Sequence, residues 1–200
     1  MPLSTIDLTG LSNPFGAPTG GNVMASWNTA GRPATPSTGQ YGYNTTYGGV
    51  EVYNGSAWDT ITGGPAFNGT TNTSTSISTS TWTKITLNTT LFDTNSNFST
   101  SNYRFTPTVA GYYQINGFVE FNSATTSLNA FVAIYKNGSV YQYGSHAGFN
   151  ATNGIGLTVS TVVQCNGSTD YIELYATQNT GSTQTVSSSS YMSGSFIRSA

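Results

Sequence analysis

Along residues 111–121 apolar and polar side chains alternate with a period of two. Tyr113, Ile115, Gly117, Val119 and Phe121 fall on one face, and Tyr112, Gln114, Asn116 and Glu120 on the other. That period belongs to a half-buried β-strand, and only the first set can line a core. Further β-favouring runs cover residues 66–70, 83–87, 98–105, 129–136, 139–143, 156–164, 171–177 and 191–198. Strands at such regular spacing predict a β-sandwich over residues 65–200. Lys136-Asn137-Gly138-Ser139 predicts a hairpin, since Asn-Gly tolerates positive φ, and Asn166-Gly167-Ser168 predicts a second reversal.

Upstream of Gly63-Gly64-Pro65 the pattern changes. Residues 1–38 carry Pro2, Pro14, Pro18, Pro33 and Pro36 among Gly and Ser, which excludes a helix and leaves extended chain. Leu3, Ile6, Leu8, Leu11 and Phe15 give this stretch something to bury, so it reads as a docking arm rather than a free linker. Residues 39–64 hold three short β-favouring runs, two of them joined by Asn54-Gly55, and predict a β-meander or stem module. So small a sheet has little room to bury its own Tyr41, Tyr43, Tyr53 and Trp58, which are expected to meet other copies of the chain.

Composition narrows the class. Only 6% of residues are charged, against roughly 25% in an average globular chain, yet 13 Tyr, 10 Phe and 3 Trp supply the large apolar areas that disordered chains lack. Helix formers are scarce, so strands are expected nearly everywhere. A net charge of −2 with no basic stripe argues against nucleic-acid binding. The lone Cys165 allows no intrachain disulfide and no two-cysteine zinc site, and reads as a buried residue at a strand end. The start of the chain shows neither the basic region nor the apolar run of a secretory signal. No stretch approaches the ~20 apolar residues that cross a bilayer. Membrane insertion is not expected. Asn-x-Ser/Thr triplets, such as those at Asn44 and Asn137, follow from the abundance of Asn, Ser and Thr.

The order of the pieces carries a resemblance. Phe105-Thr106-Pro107-Thr108-Val109-Ala110-Gly111-Tyr112-Tyr113, Val132-Ala133-Ile134-Tyr135-Lys136-Asn137-Gly138, the run from Val162 to Leu174, and Met192-Ser193-Gly194-Ser195-Phe196-Ile197 resemble successive strands of the complement-q/tumour-necrosis-factor-like head family. Gly167 and Asp170, adjacent in that family's pattern, are here separated by Ser168 and Thr169. The resemblance implies a jelly roll that packs three to a bundle and serves binding and assembly rather than catalysis. The segment with Ala30-Gly31-Arg32-Pro33, Gly42-Tyr43-Asn44-Thr45, Glu51-Val52-Tyr53-Asn54-Gly55 and Trp58 is similar to a short β-module of bacteriophage fibre and other virion proteins.

Candidate chemistry is sparse. His146 is the only histidine, and its combination with Cys165 and Asp170 is no stronger than chance. Asp93-x-Asn95-x-Asn97 begins like a calcium loop, but Phe98 and Arg104 stand where Gly and Glu are required, so local Asx turns are expected. Tyr141, Tyr143, His146 and Phe149 form an aromatic cluster around Gly144 and Gly148, read as a loop. It suits burial in the core or in a trimer seam, or a grip on glycan or protein.

Together these readings predict an all-β protein: a jelly-roll β-sandwich head preceded by a small β-meander and an extended N-terminal arm. The expected function is that of a non-enzymatic homotrimeric phage virion structural protein, made in the host cytoplasm and displayed on the particle surface. Residues 1–64 would attach to capsid or tail proteins, and the head would either decorate the capsid or act as a fibre that adheres to host surface glycan or protein. No cofactor and no metal are expected. The alternative is a secreted adhesive or signalling ligand with a complement-like trimeric head.

Overall fold

The computed structural model describes residues 24–46, 48–61, 64–122, 127–150 and 154–200, with the backbone alone at 127, 128, 149 and 150. The apolar arm positions Leu3, Ile6, Leu8, Leu11 and Phe15 lie outside the described residues, as does the Phe149 side chain. The chain divides into two units, residues 1–61 and 62–200.

The described residues of the first unit form a sheet of four strands in chain order: β1 (Ser26–Trp27), β2 (Tyr41–Asn44), β3 (Gly49–Tyr53) and β4 (Trp58–Thr60). The last three are the predicted meander. The first comes from the stretch read as an arm and pairs parallel with β2, Ser26 beside Tyr43 and Trp27 beside Asn44. Trp27 lies across Gly42, where a Cβ would come within 2.2 Å of the ring, and it meets Trp58 edge-on at 5.1 Å. Asn54-Gly55 does reverse the chain, but through a four-residue loop between the paired Tyr53 and Trp58. Gly55 has the positive φ, 105°, while the Asn54 side chain accepts the backbone N–H groups of Ser56 and Ala57.

Beneath Trp27 sits Glu51, with no solvent exposure at all. An isolated buried carboxylate is costly unless it is paired and hydrogen-bonded. Arg32 supplies the pair at 2.6 Å, Asn44 donates at 3.1 Å, and the Trp27 indole N–H donates as well. A buried polar knot thus ties strand β1 and the turn after it to strand β3.

The second unit is a two-sheet antiparallel sandwich. Its strands are β5 (Ala66–Thr70), β6 (Thr75–Ile77), β7 (Thr83–Lys84), β8 (Thr89–Asp93), β9 (Phe98–Ser99), β10 (Arg104–Phe105), β11 (Ala110–Phe121), β12 (Ser127–Lys136), β13 (Ser139–Asn150), β14 (Ile155–Asn166), β15 (Ile172–Gln178), β16 (Gln184–Val186) and β17 (Tyr191–Ser199). A six-stranded sheet runs β13-β12-β15-β10-β9, with β7 also on β15. A seven-stranded sheet runs β6-β16-β11-β17-β5-β8, with β14 on the other edge of β11.

Between the sheets lies an aromatic core. Tyr113, Ile115, Val119 and Phe121 are fully buried, as the alternation along β11 predicts. Phe67 stacks on Phe98 at 5.3 Å and on Phe105 at 4.1 Å, and Phe105 meets Tyr113 edge-on. Each fully buried ring of this kind contributes roughly 1.5–3 kcal/mol. Cys165 is buried one residue before the end of β14.

Several predicted elements change form. The run 98–105 is no single strand but the tight hairpin β9/β10, which pairs Phe98 with Phe105 and so brings both rings onto Phe67. The run 139–143 continues to Asn150, since Gly144 leaves room for the neighbouring backbone: a Cβ there would lie 2.5 Å from the Thr158 carbonyl oxygen. Strands β6, β8 and β16 lie in stretches where the sequence pattern predicts no strand. Asn137 and Gly138 both have positive φ, 54° and 78°, and form the predicted two-residue hairpin turn.

Candidate functional site

Tyr141, Tyr143 and His146 lie on strand β13 rather than on a loop, and the backbone of Phe149 pairs there with Leu128. They are not in the core: Tyr141 is 44% exposed, Tyr143 60%, and His146 is exposed too. The expectation of core burial is therefore corrected. The inner face of the sheet is already filled by Ala130, Val132 and Ile134.

Positions 143 and 146 differ by three and would face opposite sides of a regular strand. The ladder between β12 and β13 slips between Phe131 and Ala133, so that Phe131 pairs with His146 but Ala133 with Tyr143. A bulge of this kind re-aims side chains, and here it turns Tyr143 and His146 to the same side. Two cross-strand rows result. One runs His146, Phe131, Thr177; the other runs Tyr143, Ala133, Tyr175. Small Ala133 leaves a depression between its tyrosine neighbours.

Trp82, in the segment just before β7, closes one side of this depression at 5.8 Å from Tyr143 and 6.0 Å from Tyr135. Tyr135 stacks on Tyr175 at 3.9 Å, and Phe131 on His146 at 5.3 Å. The resulting groove of about 460 Å³ is lined by Trp82, Phe131, Tyr143, Gly144, His146 and Thr177. Burial holds the Tyr175 hydroxyl proton to about 12, helped by nearby Glu173. Glu173 is itself engaged with Lys84 at 2.9 Å. Sequence reasoning missed Trp82, Phe131, Tyr135 and Tyr175, because strand pairing alone brings them beside Tyr143.

The aromatic residues expected to meet other copies of the chain lie in the first unit. Tyr41 and Tyr43 point outward, 59% and 40% exposed, whereas Tyr53 and Trp58 are half-buried and 5.5 Å apart. Trp58 thus finds Trp27 of its own chain as a ring partner.

No catalytic constellation forms from the chance trio. His146 stacks on Phe131 at the exposed face of one sheet, Cys165 is buried in the other, and Asp170 is bound by Lys136 and Asn137. Burial pushes the Cys165 thiol up to about 12. A thiol reagent at pH 8 is therefore expected to leave native protein untouched and to modify one cysteine per chain after urea denaturation. Rapid native labelling would refute the assigned burial. Among the described residues no cluster of His, Cys, Asp or Glu could hold a metal. Asp93 accepts from the backbone N–H groups of Asn97 and Phe98, so its carboxylate closes a wider loop than the expected Asx turn.

The outer face of the seven-stranded sheet differs in character. Gln114 donates to Ser160 and Ser160 to Asn116, each at 2.9 Å, an uncharged string that satisfies itself. Around it stand Val162 and Ile197, 45% and 49% exposed, and Tyr191, stacked on Phe118 at 5.6 Å.

No family model matches the chain, and no curated protein matches it. Solved structures do. The globular domain of zebrafish complement 1qA protein aligns with 67% of this chain and 97% of its own length, at 16% identity and a TM-score of 0.50. The head has the complement-head fold. Murine APRIL at pH 5.0 aligns similarly, over 67% of this chain and 99% of its own, at 11% identity and a TM-score of 0.51. The PRD1 vertex protein P5 shares 19% identity over 66% of this chain and 96% of its own, with a TM-score of 0.46, too low to bear on function. The expected jelly-roll sandwich is thus the fold of residues 62–200, and at these identities the likeness speaks for fold alone.

Proposed function

We propose that the protein is a non-enzymatic homotrimer displayed on the surface of a phage particle, with its head directed outward and residues 1–64 docked to capsid or tail proteins. The observation that carries the self-association is the outer face of the seven-stranded sheet. Val162, Ile197, Tyr191 and Phe118 expose apolar surface around a neutral polar string. Soluble monomers seldom leave such patches open. The charged groups of this face, Arg198 beside Val162 and Ile197 and Glu120 towards the other end of β11, stand at the margins of the patch and are opposite in sign. The virion assignment is supported by the likeness of the segment from Ala30 to Trp58 to a phage β-module.

Light scattering is expected to give three times the 21.0 kDa chain mass for the native protein. The double variant Val162→Glu/Ile197→Glu should fall to a single chain, because it places carboxylates against one another across the seam. A native protein of single-chain mass would remove the basis of the proposal. Binding of the trimer to empty capsids and not to cells would mark a decoration role, and the reverse an adhesive one. Particles that take no label from an antibody to the head would refute the virion assignment.

A further inference from the structure

We infer that the groove on the outer face of the six-stranded sheet is a carbohydrate site for an uncharged glycan, with Trp82 and Tyr143 as the stacking surface. The inference deepens the surface role proposed above, although the groove belongs to the opposite sheet from the face assigned to self-association.

Four observations converge. First, the lining is aromatic but not closed: Trp82 is half-buried and Tyr143 is 60% exposed, so their ring faces are available to a ligand. The C–H face of a pyranose ring covers such surfaces well, while its hydroxyls stay in water or reach polar neighbours. Second, polar groups stand at the rim. The Thr177 hydroxyl and the His146 imidazole flank Phe131 in one cross-strand row, at positions where sugar hydroxyls need donors and acceptors. A few polar groups in an aromatic cleft are the usual means of orienting a small ligand.

Third, the groove is matched in charge. None of its lining residues is Asp, Glu, Lys or Arg. Glu173, on the same face as Tyr135 and Tyr175, is engaged with Lys84, and Lys136 is engaged with Asp170. An anionic sugar would lose its hydration without gaining a cation, so a neutral one is selected. Fourth, the size is right. A volume of about 460 Å³ lies within the roughly 300–1,000 Å³ of small-molecule sites and is too confined for a protein surface.

The site is also prepared in advance. Tyr135 stacked on Tyr175 braces Trp82 from one side, and Phe131 stacked on His146 fixes the other wall. Rigid rings lose little conformational freedom on binding.

The test is an array carrying neutral hexose, deoxyhexose and N-acetylhexosamine oligosaccharides beside sialylated, uronic and sulfated ones, probed with the full chain. Binding is expected within the neutral set, weakened about tenfold or more by Trp82→Ala and several-fold by the near-isosteric Thr177→Val, and unchanged by Tyr41→Ala in the other unit. Binding confined to acidic glycans, binding to none, or neutral binding indifferent to both groove variants would each overturn the inference. Should Trp82→Ala fail to fold, Thr177→Val still decides. The chain mass from light scattering is measured separately, so loss of the trimer proposal and loss of the glycan site are distinguishable.

Discussion

Gly194→Val is expected to destabilise the head severely. Gly194 lies in β17, paired with Ile115 of β11 on one side and Phe67 of β5 on the other. A Cβ added there would sit 2.6 Å from the Ile115 side chain, 2.8 Å from the Phe67 ring and 2.8 Å from the Gln114 carbonyl oxygen. The first two could move only by disturbing the aromatic core, and the third belongs to a central strand that cannot move alone. Valine would add two further methyl groups to that crowding. Overpacking of a tight core costs typically 1–3 kcal/mol, and a backbone clash raises it to about 3 kcal/mol or more. Against a total stability of roughly 5–15 kcal/mol this should appear as a large fall in the urea midpoint, or as insoluble protein. A midpoint within error of the native one would show that the two sheets are spaced more loosely here than described. The same contact explains why the Ser-Gly-Ser-Phe run near the chain end has glycine at its second position.

The second large effect is expected in the first unit. Arg32→Ala leaves the fully buried Glu51 carboxylate without its guanidinium, and removing one member of a buried pair costs about 3–5 kcal/mol. A four-stranded sheet of this size has little stability in reserve. The first unit should therefore lose its structure while the head, a separate unit, keeps its own. Fluorescence in a Trp82→Phe background reads this directly, since Trp27 and Trp58 are then the remaining indoles. Glu51→Gln should be far milder, because an amide oxygen still accepts from Trp27 and Arg32 is partly exposed. Equal effects of the two substitutions would show that packing, not the charge pair, holds the sheet.

Where one face of a strand was buried and the other open, the sequence announced it. The inward residues of β11 and the left-handed Asn137-Gly138 turn needed only local pattern and local sterics. Strands β6 and β16 were hidden because each carries a single large apolar residue, Ile77 and Val186, within polar stretches. Strand β1 was hidden because parallel pairing leaves no hairpin signature. The groove was half legible. Tyr143 and His146 stood out as an aromatic cluster, but the bulge that turns them to one side is a property of the pairing between two strands. Trp82 joins them from far away in the chain, and no local rule places it there.

The way β13 meets β14 bears on how many copies can crowd one surface safely. Each is the last strand of its sheet, and a last strand offers unpaired backbone groups on which foreign chains can build fibrils. Here the Ser145 hydroxyl takes the Thr158 N–H and returns a hydrogen bond to the Thr158 carbonyl, while the Tyr141 hydroxyl occupies the Val162 carbonyl. Side chains of one border thus occupy backbone groups of the other. With those groups occupied, closely spaced copies find a poorer template for runaway strand addition along this border.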